Sequence, residues 1–123
     1  MKQYKRYCKT LTLRDDPELI RQYKEVHAKV WPEIIQGMRE VGILDMEIYL
    51  YQNRLFMIMD TEPDFDHDKA MAALARKPRQ REWEAYVSRF QDTSPEATAD
   101  EKWQLMERIF KMDMDEKFRM DQG

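Results

Sequence analysis

The sequence predicts one α+β domain of order βαββαβ, a recurrent split βαβ arrangement. Three observations carry that expectation. Strand-like runs rich in aromatic and aliphatic residues fall at 4–13, 45–51 and 54–61. Apolar residues at three-and-four spacing run through 17–41 and again through 65–90, the mark of helices with one buried stripe. The length of 123 residues supports one core and not two.

Taken in order, residues 4–13 (YKRYCKTLTL) put Tyr7, Leu11 and Leu13 on one face of a first strand. Asp15 or Asp16 ahead of Pro17 and Glu18 supplies a cap, a first-position proline and an early acid, so a helix starts there. Its stripe continues to Val41, but Pro32 must interrupt it. In an unbroken helix the proline leaves the Ala28 carbonyl without its donor and crowds it, at a cost of about 3 kcal/mol. Gly42 ends the helical stretch. Met46, Ile48 and Leu50 then alternate with Glu47, Tyr49 and Tyr51, Gln52-Asn53 makes a tight turn, and residues 54–61 return as a nearly continuous apolar strand. That continuity implies burial on both faces and puts the hairpin in the middle of the sheet.

Residues 65–75 read as helix anchored by Met71 and Leu74, Pro78 interrupts, and 79–90 place Trp83, Tyr86, Val87 and Phe90 on one face. Residues 92–100 form a polar loop. The run 103–112 fits helix or strand. Strand is preferred, because Leu105, Glu107 and Ile109 alternate with Met106, Arg108 and Phe110 and because a strand completes the order. The domain is expected over 1–112, with 113–123 a charged, frayed tail.

Composition narrows the class. Lys+Arg 21 against Asp+Glu 24 leaves a net charge of -3, which offers nucleic acid no basic surface. No apolar run approaches the ~20 residues that span a bilayer, no cleavable signal segment opens the chain, and the lone Cys8 has no partner for an internal disulfide. A cytoplasmic location is expected. The ten methionines read as adaptable core filler. Helices cover one face of such a sheet, and Met46, Ile48, Leu55, Met57 and Ile58 are too apolar to leave the other face wet. A homodimer packed sheet to sheet is therefore expected. Around His67, the acids Asp64, Asp66 and Asp68 sit at a helix start, where capping accounts for them better than a metal does. No cysteine and histidine spacing matches a zinc site.

The distinctive stretch is 23–35, YKEVHAKVWPEII. His27 lies inside the buried stripe, one turn after Tyr23 and one turn before Trp31, so the three side chains point the same way. Read from the residues alone, His27 is either a core histidine satisfied by a carbonyl or a chemical group at a pocket beside the Pro32 break.

The block His-x-x-x-Trp-Pro-Glu, here HAKVWPE, preceded by Tyr23 and followed by the strand DMEIYL, resembles the signature of the L-rhamnose mutarotase family over roughly residues 5–112. The resemblance implies a dimeric ferredoxin-like fold of the dimeric α/β-barrel type and anomerisation of a monosaccharide without cofactor or metal. It places the proton-donating histidine at His27 and a sugar-contacting tyrosine at Tyr23. Where the family carries a strand tyrosine this chain has Met46, and where tandem tryptophans follow Gln-Arg it has Glu82 and Trp83. The candidate site is thus His27 for catalysis, with Tyr23, Trp31, Glu82 and Trp83 for the sugar. The departures leave L-rhamnose and L-fucose both open. A histidine suits ring opening because its ordinary pKa of about 6.5 keeps both protonation states available near neutrality. Two rivals share the scaffold: a ligand-binding module with a structural His27, and a cofactor-independent oxygenase or cyclase.

Overall fold

The computed structural model describes residues 3–94 and 96–112. Strand β1 (Lys5–Thr12) is followed by helices α1 (Pro17–Ala28) and α2 (Pro32–Glu40), the hairpin β2 (Ile43–Tyr51) and β3 (Arg54–Thr61), helices α3 (His67–Leu74), α4 (Gln80–Val87) and α5 (Ala99–Lys102), and a short β4 (Gln104–Leu105). The sheet is antiparallel with order β2-β3-β1-β4, the ferredoxin-like order.

Local chemistry explains the helix ends. The Asp16 carboxylate accepts from the Glu18 and Leu19 N–H groups and Pro17 opens α1. The helical stretch breaks after Ala28 and restarts at Pro32, as that proline requires. Gly42 leaves α2 at φ 104°, a conformation costly for any side chain. Asp66 accepts from the Lys69 N–H and so caps α3. In α2, a Cβ added to Gly37 would meet Lys77 Cβ at 3.2 Å, so this glycine lets α2 lie close against the connection that follows α3.

Cross-strand register assigns the two sheet faces. Tyr7, Met59 and Met46 stand side by side, as do Lys9, Met57 and Ile48, and Leu11, Leu55 and Leu50. This is the face the helices cover, since Tyr7, Leu11, Leu55, Met57 and Met59 are all buried. Met46, Ile48, Leu55 and Met57 therefore pack under helices of their own chain. The expectation that they need a second copy is corrected; only Ile58 of the five lies on the open face, in register with Cys8 and Glu47. The position of the hairpin is also corrected. β3 is interior, but β2 is an edge, because β1 inserts between β3 and β4. Burial along β3 alternates, with Leu55, Met57, Met59 and Thr61 buried and Phe56, Ile58 and Asp60 partly open. An apolar run need not be buried on both sides when one side has no layer over it.

The end of the domain departs furthest. The strand expected over 103–112 contracts to Gln104–Leu105, extended by a Met106 N–H to Cys8 carbonyl bond of 2.7 Å. The preceding loop ends in α5, held by a capping box between Thr98 and Glu101. Ile109, Phe110 and Met112 are 89%, 77% and 87% exposed, so their alternation finds no surface to pack on among the described residues. The expected tail at 113–123 lies outside the described residues. Among those described, no helix is long and apolar enough to cross a membrane.

Candidate functional site

Between the covered sheet face and the helices lies a cavity of about 310 Å³, inside the ~300–1,000 Å³ range of small-molecule sites. The sheet contributes Met46, Ile48, Met57 and Met59 to its walls, and the helix layer contributes Val30, Ile35, Met38 and Trp83. Five polar side chains interrupt this apolar lining: Lys9, Tyr23, His27, Gln80 and Glu84. A second cavity of about 370 Å³, bordered by Glu96 to Asp100, shares Gln80 and Glu84 with it.

His27 occupies the last turn of α1, where the Pro32 break leaves the helix end beside the cavity. Its Nδ1 lies 3.0 Å from the Tyr23 carbonyl oxygen. A carbonyl only accepts, so Nδ1 carries the proton of the neutral ring and Nε2 keeps its lone pair for a molecule in the cavity. Burial pushes the His27 pKa down from its ordinary value, with the Tyr23 carbonyl opposing that in part. At neutral pH the ring is thus a base. The Tyr23 ring stacks on His27 with centroids 4.2 Å apart, and Trp83 meets it edge-on at 5.6 Å. Burial raises the Tyr23 phenol strongly, with the Gln91 side chain opposing in part, so it stays protonated.

Of the residues expected at the site, His27, Tyr23 and Trp83 come together on the cavity wall. Trp31 stands behind them. It contacts Trp83 at 5.0 Å and stacks on Tyr86 at 5.6 Å, with the Arg79 guanidinium 4.2 Å over its ring. Glu82 is exposed outside the cavity, where Arg79 pairs with it at 2.9 Å and with Glu33 at 3.3 Å. The Arg79 hydrogen bond holds the Glu82 carboxyl below its usual value. Met46 does line the cavity, at the position of the missing phenol.

Sequence reasoning passed over Lys9, Gln80 and Glu84. The signal for Lys9 was present, since a lysine between Tyr7 and Leu11 at two-residue spacing must point inward with them. Glu84 is held on two sides. Lys102 Nζ donates to its carbonyl at 2.8 Å and to Oε1 at 3.0 Å, and Gln80 Nε2 donates to Oε2. An aromatic wall, a neutral imidazole with a free nitrogen and several donors suit a small polyhydroxylated molecule with one apolar face.

Comparison with known proteins gives the same class. A profile of the family described as L-rhamnose mutarotase matches residues 6–112. An L-fucose mutarotase from Xanthomonas campestris pv. campestris is 39% identical over 107 residues, covering 85% of this chain and 86% of that protein. An L-rhamnose mutarotase from Brucella anthropi is 29% identical over 75 residues, covering 59% of this chain and 67% of that protein. In fold, the crystal structure of an L-rhamnose mutarotase from Formosa agariphila superposes with a TM-score of 0.68 at 20% identity, covering 89% of this chain and 99% of that one.

Proposed function

The chain belongs to the L-rhamnose mutarotase family, sugar isomerases, and from that premise we propose that it interconverts the α and β anomers of an L-6-deoxyhexose through proton transfer by His27. L-fucose is favoured over L-rhamnose, because the 39%-identical relative carries that name and because Met46 removes a hydroxyl from the cavity wall.

Ring opening takes the proton from the anomeric hydroxyl, breaks the bond between C1 and the ring oxygen, and gives the ring oxygen a proton. Rotation at C1 and the reverse transfers produce the other anomer. The observation that carries the reading is the 3.0 Å approach of His27 Nδ1 to the Tyr23 carbonyl oxygen, which calls for a proton on Nδ1 and leaves Nε2 unprotonated on a ring that lines a cavity of sugar size. Tyr23 and Trp83 form the aromatic wall, and Trp31 braces Trp83 from behind. Glu82 stands one layer further out, paired with Arg79, whose guanidinium lies over the Trp31 ring.

Saturation-transfer NMR on a panel of reducing sugars reads anomer exchange directly. Exchange of L-fucose well above the spontaneous rate is expected. Spontaneous rates for every sugar tested would leave a binding module in place of an enzyme.

A homodimer is also proposed, now through the open sheet face, where Cys8, Phe56 and Ile58 are partly open and Tyr49 and Tyr51 are 56% and 67% exposed. Light scattering should return about twice the 15.0 kDa chain mass, and a monodisperse monomer at micromolar concentration would refute it.

A further inference from the structure

We propose, resting on the mutarotase reading above, that Lys9 is the second proton-transfer group of this site, giving a proton from Nζ to the sugar ring oxygen while His27 takes the one on the anomeric hydroxyl. Lys9 sits in the central strand, 1% exposed, and lines the cavity from the sheet, whereas His27 lines it from the helix layer. A sugar between the two layers meets one group on each side, and the two oxygens that exchange protons in ring opening lie on either side of C1.

The contrast with Lys102 shows why Lys9 is unusual. Both residues are buried, but Lys102 is satisfied by the Glu84 carbonyl and carboxylate. Among the described residues no hydrogen bond or ion pair reaches Lys9 Nζ; Asp100 and Asp68 act on it only at longer range. A buried cation without a partner is costly unless something else supplies the oxygen. The other polar groups are committed or unsuited to the step. Tyr23 holds its proton tightly, the Glu84 carboxylate is bound by Lys102 and Gln80, and an amide such as Gln80 has no acidic proton to give. Burial makes the ammonium a stronger acid than an exposed lysine, the direction that favours donation, with Asp100 and Asp68 opposing in part.

The step balances. His27 Nε2 gains the proton of the anomeric hydroxyl, the C1 to ring-oxygen bond breaks as the carbonyl forms, and the ring oxygen gains the Lys9 proton. After rotation at C1, the neutral amine takes that proton back as the hydroxyl closes on the other face of the carbonyl, and the imidazolium returns its own. No oxidant or co-reactant is required.

Lys9→Met and Lys9→Gln, measured beside wild type and His27→Asn, test this. Both Lys9 variants should fold with an unchanged or higher melting temperature, since each removes a buried charge. Both should lower kcat about 10²- to 10⁴-fold with little change in KM. They should also lose the alkaline limb of the wild-type kcat profile. Around Lys9 that limb must be told from the other groups there: His27 and Tyr23 on α1, Asp68 on α3, Glu84 on α4, and Asp100 and Lys102 on α5. Wild-type kcat in Lys9→Gln, which keeps a donor but cannot transfer a proton, overturns the proposal. So does a change confined to KM, or an alkaline limb that survives in the variants. Should neither variant fold, a flat alkaline side in wild type overturns it and a falling one supports it. Exchange that needs His27 but not Lys9 defeats this assignment alone, whereas a wild type that exchanges no sugar defeats the mutarotase reading with it.

Discussion

The chain's two histidines sit in similar surroundings and differ in one respect that decides what each can do. His27 stacks on Tyr23 at 4.2 Å, and His67 leans on Tyr7 at 5.1 Å. Each bonds through Nδ1, His27 to a backbone carbonyl and His67 to the Asp68 carboxylate at 2.9 Å. The difference lies at Nε2. In His67 it is buried with no hydrogen-bond partner among the described residues, whereas His27 lines the cavity. An imidazole packed on a tyrosine is therefore not enough; the second nitrogen must open onto space that a substrate can occupy.

The largest expected effect breaks or upholds this comparison directly. His27→Asn should stay folded while anomer exchange falls by about 10² to 10⁴, the usual share of general acid-base catalysis. His67→Asn should leave exchange inside the ~0.5 kcal/mol, or about twofold, expected away from a site. Saturation transfer and thermal melting on the same samples separate lost chemistry from lost folding, and equal losses in the two variants would sink the distinction.

A smaller effect sharpens what facing the cavity means. Met46 faces it and Glu82 does not. Met46→Tyr should shift the ratio of exchange rates toward L-rhamnose by roughly fivefold, about 1 kcal/mol for one hydrogen bond to a hydroxyl. Glu82→Trp should change the same ratio by less than about twofold, because its carboxylate is tied to Arg79 at the surface. A larger shift from Glu82→Trp than from Met46→Tyr would place the sugar outside the cavity.

The smallest effect is on stability. The His27 pKa is lowered on folding, so the unfolded chain binds a proton that the folded one resists. The folded state is unpenalised above the ordinary value of about 6.5 and loses stability as the pH falls below it, down to the lowered folded-state value. Melting curves between pH 7.5 and 5 should show wild type losing ground to His27→Asn as the pH drops. A constant gap would mean that His27 is solvated in the folded protein.

Much of this architecture was legible in the sequence. Asp16-Pro17-Glu18, Pro32 and Gly42 are local signals, and each marks the boundary it promised because caps and prolines act through the neighbouring backbone. One-turn spacing likewise put Tyr23 and His27 on one face. What escaped depended on non-local pairing. Nothing in residues 45–61 tells an edge strand from an interior one, so the faces of Met46 and Ile48 were assigned to the wrong neighbour. The strand at 103–112 was expected from alternation, which records a pattern but not a partner. Lys9 escaped because a single lysine in a strand belongs to no motif, although its place between Tyr7 and Leu11 states its direction.

Gly37 touches none of the cavity, yet its neighbours Ile35 and Met38 line it, and its missing side chain sets how near α2 rests to Lys77. A single methyl group there would act as a shim. It would favour the helix itself by about 1 kcal/mol over glycine while levering the helix away from residue 77. The chamber's width is thus adjustable from its back side, without altering any surface a sugar meets. Gly37→Ala should reveal this as a gain in exchange of a bulkier hexose relative to its 6-deoxy analogue, and an unchanged ratio would show that the wall does not move.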